Sequence, residues 1–388
     1  MSLPEKKVKQ LLGMMNAMST VKIPEHKAVI ECFDLAMDEQ MLDYLLQVGT
    51  EPHTVPQLEA LYHTMYGGDI AAWEAWWSEL MAMCFVHPRN NDDRVHYVLA
   101  PFFPGWIEMS VGGPINAKRE AILRKFFEFW EGSLIESNTL PIRFLTNLRG
   151  VKKVKDGVPA RMNTLAIRGG EREITLNRPL ESRQEVYPAG SVFGLLEEYK
   201  EEIAVLNCFC RQFKRINTGE GCELGLPIEG CVVLGAIASQ LEANGVARHL
   251  THAEAVELIC ALEKKGCVHT TYHYGNDSRN QAFVICNCCP DCCALYGTFR
   301  KGGLSKIHVH SYASPKMKHA QKCVGCDRCG KVCPTGATYY DRIGQKLVFN
   351  YEKCIGCGQC VNQCKFDVRE MVDDERDVFV KTEKPKGK

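Results

Sequence analysis

Two cysteine runs, Cys323-x2-Cys326-x2-Cys329-x3-Cys333-Pro334 and Cys354-x2-Cys357-x2-Cys360-x3-Cys364, stand with twenty residues between them. Three thiolates on one tight loop grip three corners of an iron–sulfur cube, and the fourth corner needs a ligand arriving from another direction. In a two-cluster arrangement the fourth cysteine of each run serves the other cluster. One [4Fe-4S] cluster is therefore assigned Cys323, Cys326, Cys329 and Cys364, and a second is assigned Cys354, Cys357, Cys360 and Cys333. The chemistry such residues support is one-electron transfer. Zinc sites pair two short clips, and triplet-plus-one runs with Pro334 behind the fourth cysteine fit that pattern poorly.

The residues between the runs must fold the two loops back on each other. Residues 338–341 and 346–350 read as short strands around Ile343-Gly344, the pattern of a hairpin. Gly325, Gly330, Gly356 and Gly358 suit backbone wrapped closely around a cluster. Over residues 318–370 the chain resembles the bacterial-type dicluster ferredoxins, which implies their compact two-cluster fold. Lys365 stands where the first run has Pro334, a departure that bears on local hydrogen bonding and potential and not on ligation.

A second thiol system precedes this one: Cys208-x-Cys210-Arg211, Cys222 and Cys231, then Cys286-Asn287-Cys288-Cys289-Pro290-Asp291-Cys292-Cys293. Thiolates bunched this tightly raise one another's pKa unless a metal neutralises them. The expectation is one or two further iron–sulfur clusters, or zinc, within residues 208–293. Two groupings are open. Either Cys208, Cys210, Cys222 and Cys231 surround one centre and Cys286, Cys288, Cys289, Cys292 and Cys293 a second, or ligands from the two stretches mix. Adjacent side chains of extended backbone point to opposite faces, so one of each neighbouring pair serves a different centre or faces solvent. A spare thiolate with a pKa-lowering neighbour would be redox-active. Arg211 and Arg300 are the basic residues expected to balance cluster charge and raise its potential. Cys32, Cys84, Cys260 and Cys267 read as buried thiols, and His308, His310 and His319 form a basic connector with a weak claim to ligation.

Further upstream, residues 41–48, 57–66 and 70–83 read as helices, and residues 94–100 as a strand after the turn Asn90-Asn91-Asp92-Asp93. Helices followed by a hairpin is a winged-helix order, and the second helix of such a pair reads the DNA major groove. Here residues 70–82 carry Trp73, Trp76, Trp77, Glu74 and Glu79 and no Lys or Arg. That composition argues for docking or packing and against nucleic acid. Residues 117–136 form a long amphipathic helix with Phe126, Phe127, Phe129 and Trp130 along one side. Residues 141–185, with Lys152, Lys153 and Lys155, read as exposed strands and loops, and 192–205 as a helix leading to Cys208. Thr251 and Glu254 make a capping box for a helix to Lys265. Val268-His269, the turn Asn276-Asp277-Ser278 and a strand over 282–285 then repeat the order seen at 70–100.

The chain has 388 residues, 45% of them hydrophobic, and its 47 basic and 47 acidic side chains cancel. That length accommodates two or three domains, and zero net charge supplies no global field toward nucleic acid or an anionic membrane. No run of about 18 apolar residues and no secretory signal pattern is present, so the expected location is cytoplasmic. Twenty-one cysteines in a reducing compartment stay as thiols or bind metal, which suits an anaerobic or low-oxygen host. No P-loop, dinucleotide fingerprint or Ser-His-Asp pattern stands out.

The combined layout, with Leu99-Ala100-Pro101-Phe102 and Pro104-Gly105, Cys208-Phe209-Cys210-Arg211, Cys286-Asn287-Cys288-Cys289 and the two terminal runs, resembles a group of anaerobic bacterial 4Fe-4S ferredoxin-type proteins. The resemblance implies an α+β chain in five parts: a winged-helix-like docking domain (1–112), a helical and basic connecting region (113–200), a Cys-rich metal-cluster module (201–300), a dicluster ferredoxin domain (318–370) and a charged tail (371–388). It implies a multi-cluster electron-transfer subunit that relays single electrons to or from a flavin- or metal-containing oxidoreductase and other electron carriers, and it names no substrate. A redox-sensing winged-helix regulator and a reductase acting at an unusual middle-module cluster are the alternatives.

Overall fold

The computed structural model describes residues 2–19, 22–91, 94–134, 151–154, 162–164, 166–167, 174–175, 192–273, 282–294, 296, 311, 313–374 and 378–381. Of the features read from the sequence, Asp92, Asp93, Lys155, Asn276, Asp277, Ser278, Arg300, His308 and His310 lie outside the described residues, as do most of 141–185 and positions 382–388 of the tail. The elements mix helices with antiparallel strands, an α+β content. The chain divides into two compact units, one of Met1–Asn147, Ala204–Glu220 and Gly235–His249, the other of Leu148–Ile203, Gly221–Leu234 and Leu250–Lys388.

In chain order the helices and strands up to the first cysteine pair are α1 (Glu5–Met18), α2 (Lys27–Ala36), α3 (Glu39–Val48), α4 (Val55–Tyr66), α5 (Ile70–Ala82), β1 (Val86–Asn91), β2 (Arg94–Leu99), α6 (Ile107–Ser110), α7 (Ala117–Leu134), β3 (Val151–Val154), β4 (Met162–Thr164), β5 (Ala166–Ile167), β6 (Ile174–Thr175), α8 (Val192–Glu198) and β7 (Ile203–Asn207). They are followed by α9 (Phe209–Thr218), β8 (Glu229–Leu234), α10 (Ala236–Ala243), β9 (Arg248–His249), α11 (His252–Lys264), β10 (Val268–His273), β11 (Ala282–Cys288) and β12 (Ala313–Met317). The remaining strands are β13 (Thr338–Asp341), β14 (Lys346–Phe349), β15 (Arg369–Asp373) and β16 (Val378–Lys381). The helix expected over 192–205 ends at Glu198. The continuous buried run Ile203-Ala204-Val205-Leu206 is instead strand β7, because an apolar run without helical period suits backbone covered on both faces.

The first unit is built on aromatic packing. Phe33 and Phe85 stack on Trp106 at 4.9 and 5.2 Å between ring centroids, and Phe102, Phe126 and Phe129 close around them, all fully buried. Burying each such ring contributes about 1.5–3 kcal/mol. The tryptophans of α5 are used in the same way: Trp73 and Trp76 pack on Tyr62 of α4 at 5.6 and 5.3 Å, and Trp77 meets Tyr97 of β2 at 4.9 Å. Hairpin β1–β2 pairs Val86 with Leu99 through Asn91 with Arg94. His87 on this hairpin is 1% exposed, and its Nε2 has no hydrogen-bond partner among the described residues.

In the second unit the strands β4, β10, β11 and β8 lie side by side, all antiparallel. Helix α11 opens on the capping box, with Thr251 N–H donating to Glu254 Oε2 at 2.8 Å and Glu254 N–H to Thr251 Oγ1 at 3.3 Å. Its far end leaves carbonyls without intrahelical donors, and amides from the C-terminal cysteine region take them. Gln363 Nε2 donates to Lys264 O at 2.9 Å and to Glu263 O at 3.3 Å, and Gln359 Nε2 donates to Cys267 O. Gly266 makes the close approach possible. It sits at φ +104°, and a Cβ there would lie 2.9 Å from Val332. Thus the C-terminal cysteine region is seated on the end of α11 by capping bonds.

Two outcomes follow from this packing. Gly266→Ala is expected to destabilise the second unit by about 2 kcal/mol, from positive-φ strain and overpacking together. The loss should appear in urea unfolding followed by circular dichroism and be absent from tryptophan fluorescence, since all five tryptophans lie in the first unit. Burial drops the His87 pKa from 6.5 to about 3. Below 6.5 the unfolded chain gains a proton that the folded chain refuses, so stability falls as pH falls through that window, on the order of 1.4 kcal/mol per pH unit. His87→Leu should remove that one-proton slope from fluorescence-detected unfolding between neutral pH and about pH 4.5, and an unchanged slope would reject the assignment.

Candidate metal centres

The two terminal cysteine runs are copies in backbone as well as in sequence. Each passes through a short 3-10 turn, Ala320–Lys322 or Tyr351–Lys353, into the first cysteine, and each has a one-turn helix, Arg328–Lys331 or Gln359–Asn362, around the third. The residue after the second cysteine is left-handed in both, Asp327 at φ +55° and Gly358 at +78°. Asp327 meets the strain of that conformation by accepting the Tyr340 N–H with Oδ1 at 2.7 Å. Hairpin β13–β14 and the β12–β15 pair close the region.

This backbone shapes two cavities. One, of about 330 Å³, is lined by Cys333, Cys354, Cys357 and Cys360. The other, of about 410 Å³, is lined by Cys323, Cys326, Cys329 and Cys364, and Cys360 reaches its wall as well. Each set thus takes three thiols from one run and one from the other, the grouping expected from spacing. The first set is the deeper: Cys333, Cys354 and Cys357 are buried, whereas Cys326 is exposed. Burial drives the Cys357 thiol far above its usual range and Cys360 up to about 12, and neighbouring thiols of the same set push the same way. Such groups become thiolates only beside a cation. Main-chain N–H groups point at the sulfurs, Ala337 N to Cys333 Sγ at 3.2 Å and Gly356 N to Cys354 Sγ at 3.4 Å. Four convergent thiols fit a [4Fe-4S] cube in each cavity, and in the inner one main-chain N–H groups also face the sulfurs.

Between the two cavities lies Arg369, which sequence reading did not single out. It is 4% exposed, it forms part of the wall of the outer cavity, and its guanidinium stands 5.3 Å over the Phe349 ring. Its charge acts on Cys360 of the inner set and on Cys329 of the outer set, favouring the thiolate at both. Its Nη1 has no hydrogen-bond partner among the described residues, as expected of a buried cation whose partner is the anionic charge of the two thiolate sets.

The middle cysteines separate into groups. Strand alternation puts Cys286 and Cys288 on one face of β11, and Cys231 of β8 stands directly opposite Cys286 in the register. Asn287, between them, points to the other face. There its Oδ1 lies 2.5 Å from His269 Nδ1, whose N–H donates, and its Nδ2 donates to Gly230 O at 2.8 Å. That anchor sets which face the two cysteines take. Cys222, Cys289 and Cys292 form a different group, with their sulfurs all within 4.8 Å of one another. Cys293 is buried. Tyr296, fully buried with its hydroxyl 3.1 Å from Thr270 Oγ1, lies within electrostatic reach of Cys288, Cys293 and Cys357.

Cys208 and Cys210 belong to the first unit, whereas Cys222 and Cys231 belong to the second. Cys208 is the N-cap of α9, and the loop holding it is pinned by Asn207 N–H to Gly112 O at 2.8 Å and Gln212 Nε2 to Val111 O at 2.7 Å. Glu108 is close enough to Cys208 to feel its charge, and burial pushes its pKa up to about 8 against the Gly105 N–H that it accepts at 2.8 Å. Arg211 is buried. Cys32 and Cys84 are fully buried thiols, pushed upward by desolvation. His319 sits by Asp367, 3.6 Å from its carboxylate.

A family model described as a 4Fe-4S dicluster domain matches residues 316–365. That segment contains all eight cysteines of the two cavities, so the C-terminal region is a ferredoxin-type iron–sulfur domain. No curated protein and no solved structure matched the chain.

Because the charge of one guanidinium acts on thiols of both cavities, Arg369→Gln should lower the reduction potentials of both clusters, and Arg369→Lys should lower them less. Potentiometric titration followed by electron paramagnetic resonance reads this directly. No shift at either cluster would show that the guanidinium charge is not felt at the thiolates.

Proposed function

We propose that this protein is a multi-cluster iron–sulfur electron-transfer component, relaying single electrons to or from a flavin- or metal-containing oxidoreductase in anaerobic, cytoplasmic metabolism. The observation that carries the reading is the pair of four-thiol cavities sharing Cys360 at their boundary. A [4Fe-4S] cluster, when bound, takes up and gives back one electron at a time. The residues of the chain supply what such a relay needs. Cys323, Cys326, Cys329 and Cys364 hold the outer centre near solvent, and Cys333, Cys354, Cys357 and Cys360 hold the inner one away from it. Arg369 offsets thiolate charge at both, which raises both potentials. Tyr296, within electrostatic reach of Cys357, Cys288 and Cys293, supports a path inward to the Cys-rich module.

The outer end has a surface suited to a partner. Val324 and Phe366 line the outer cavity and are 62% and 42% exposed, an apolar rim over which another redox protein would exclude water. The winged-helix-like order of α3 to β2 supports docking in preference to DNA recognition, because the Trp73, Trp76 and Trp77 rings of α5 are occupied by packing within the first unit. Among the described residues no helix is long and apolar enough to cross a membrane.

Anaerobically purified protein is expected to carry more acid-labile sulfide than the about eight atoms per chain that two cubes supply, and to reduce a one-electron acceptor after reduction by a low-potential donor. Sulfide at the level of two cubes would remove the middle-module stage of the relay. Absence of any one-electron step would remove the relay itself.

A further inference from the structure

We infer that Cys222, Cys289 and Cys292 form a separate mononuclear site for one thiophilic divalent cation, zinc or ferrous iron, and are not corners of a cube. Cys222 Sγ and Cys289 Sγ lie 3.7 Å apart, and all three sulfurs fall within 4.8 Å of one another. Zinc–sulfur bonds of about 2.3 Å in a tetrahedron place the sulfurs about 3.8 Å apart. A cube puts a separate iron under each thiolate and spreads the sulfurs over its corners. The chain contains its own contrast: among the described residues no other three Cys, His, Asp or Glu ligand atoms gather this closely, the eight thiols of the two terminal cavities included.

Local chemistry agrees with a single ion. Cys289-Pro290-Asp291-Cys292 is a Cys-x2-Cys clip, the spacing of tetrahedral metal sites, and Cys292 N–H donates to Cys289 Sγ at 3.2 Å. Cys222 opens a tight turn through Gly225, which is left-handed at φ +62° and donates its N–H to Cys222 O at 2.9 Å. The sulfurs sit among Leu226, Leu262 and Cys267, with Leu224 and Leu258 packed around them, so an ion there is shielded from water on the apolar side. Asp291 Oδ2, fixed by Glu223 N–H at 2.9 Å, lies 3.2 Å from Cys292 Sγ and joins the 222–226 loop to the clip. The ion would tie the 222–226 loop to the 289–292 clip, under the end of α11 where the ferredoxin-type domain is seated. This is a role in holding the module together, and it stands whether or not the relay reading does.

The test uses the full chain purified anaerobically with its clusters. Metal and sulfide analysis should find a single metal ion per chain in excess of the iron matched by sulfide. Cys289→Ser should lose that ion while leaving iron–sulfide stoichiometry and the ferredoxin-type resonance signals unchanged. Because this variant can fail to fold, X-ray absorption on the unmodified protein is the second measurement. At the zinc edge it should show sulfur neighbours and no iron neighbour. If zinc is absent, the site holds iron, and Co2+ added to metal-depleted protein should give the intense thiolate-to-cobalt bands of a tetrahedral site. The inference is overturned if Cys289→Ser removes iron and sulfide together in equal amounts, if metal-to-metal scattering appears at the zinc edge, or if neither excess metal nor cobalt uptake is found.

Discussion

Thiolates cannot be buried side by side unless a cation holds their charge, and this constraint shapes the second unit. The inner terminal cavity gathers four thiols, most of them buried, and desolvation raises Cys357 and Cys360 well above the ordinary thiol range. The Cys-rich module gathers more of them within a few residues. Main-chain N–H groups, a buried arginine and tight glycine-bearing turns are arranged around those sulfurs, and none of that arrangement is stable electrostatically without metal. Metal binding and folding are therefore coupled for this region.

The same constraint explains why the ferredoxin-type domain is not an independent appendage. Its short helix Gln359–Asn362 and the following Gln363 cap the open end of α11, and the absence of a side chain at Gly266 lets Val332 approach. The inner cavity, with Cys357 in its wall, thereby keeps a fixed place on the end of α11. Electron transfer falls off steeply with distance, so a fixed seat is worth more to such a protein than any single contact energy.

Much of this was legible in the sequence because ligand spacing is local. The two terminal runs state their own grouping, and the structure draws Cys333 and Cys364 across to the opposite sets. The hairpin between them and the capping box at Thr251 and Glu254 are equally local signals. What sequence reading missed depends on tertiary placement. Arg369 has no motif around it, and its role comes from β15 carrying it between two loops. Asn287 carries no motif role of its own and is the anchor that aims Cys286 and Cys288. The helix expected over 192–205 stops early because an apolar run carries no mark of period at Ile203 to Leu206. The grouping of Cys222 with Cys289 and Cys292 was one of two open arrangements, and only folding distinguishes it.

The central claim is that two clusters lie side by side in the crossed cavities and exchange single electrons. Electron paramagnetic resonance of the fully reduced, anaerobic protein tests it most directly. Two reduced clusters in neighbouring cavities that share Cys360 in their walls should couple, giving a broadened, split spectrum that sharpens to that of isolated centres when Cys357→Ala removes one of them. A fully reduced spectrum made of independent, uncoupled signals, or one unaffected by Cys357→Ala, would contradict the account.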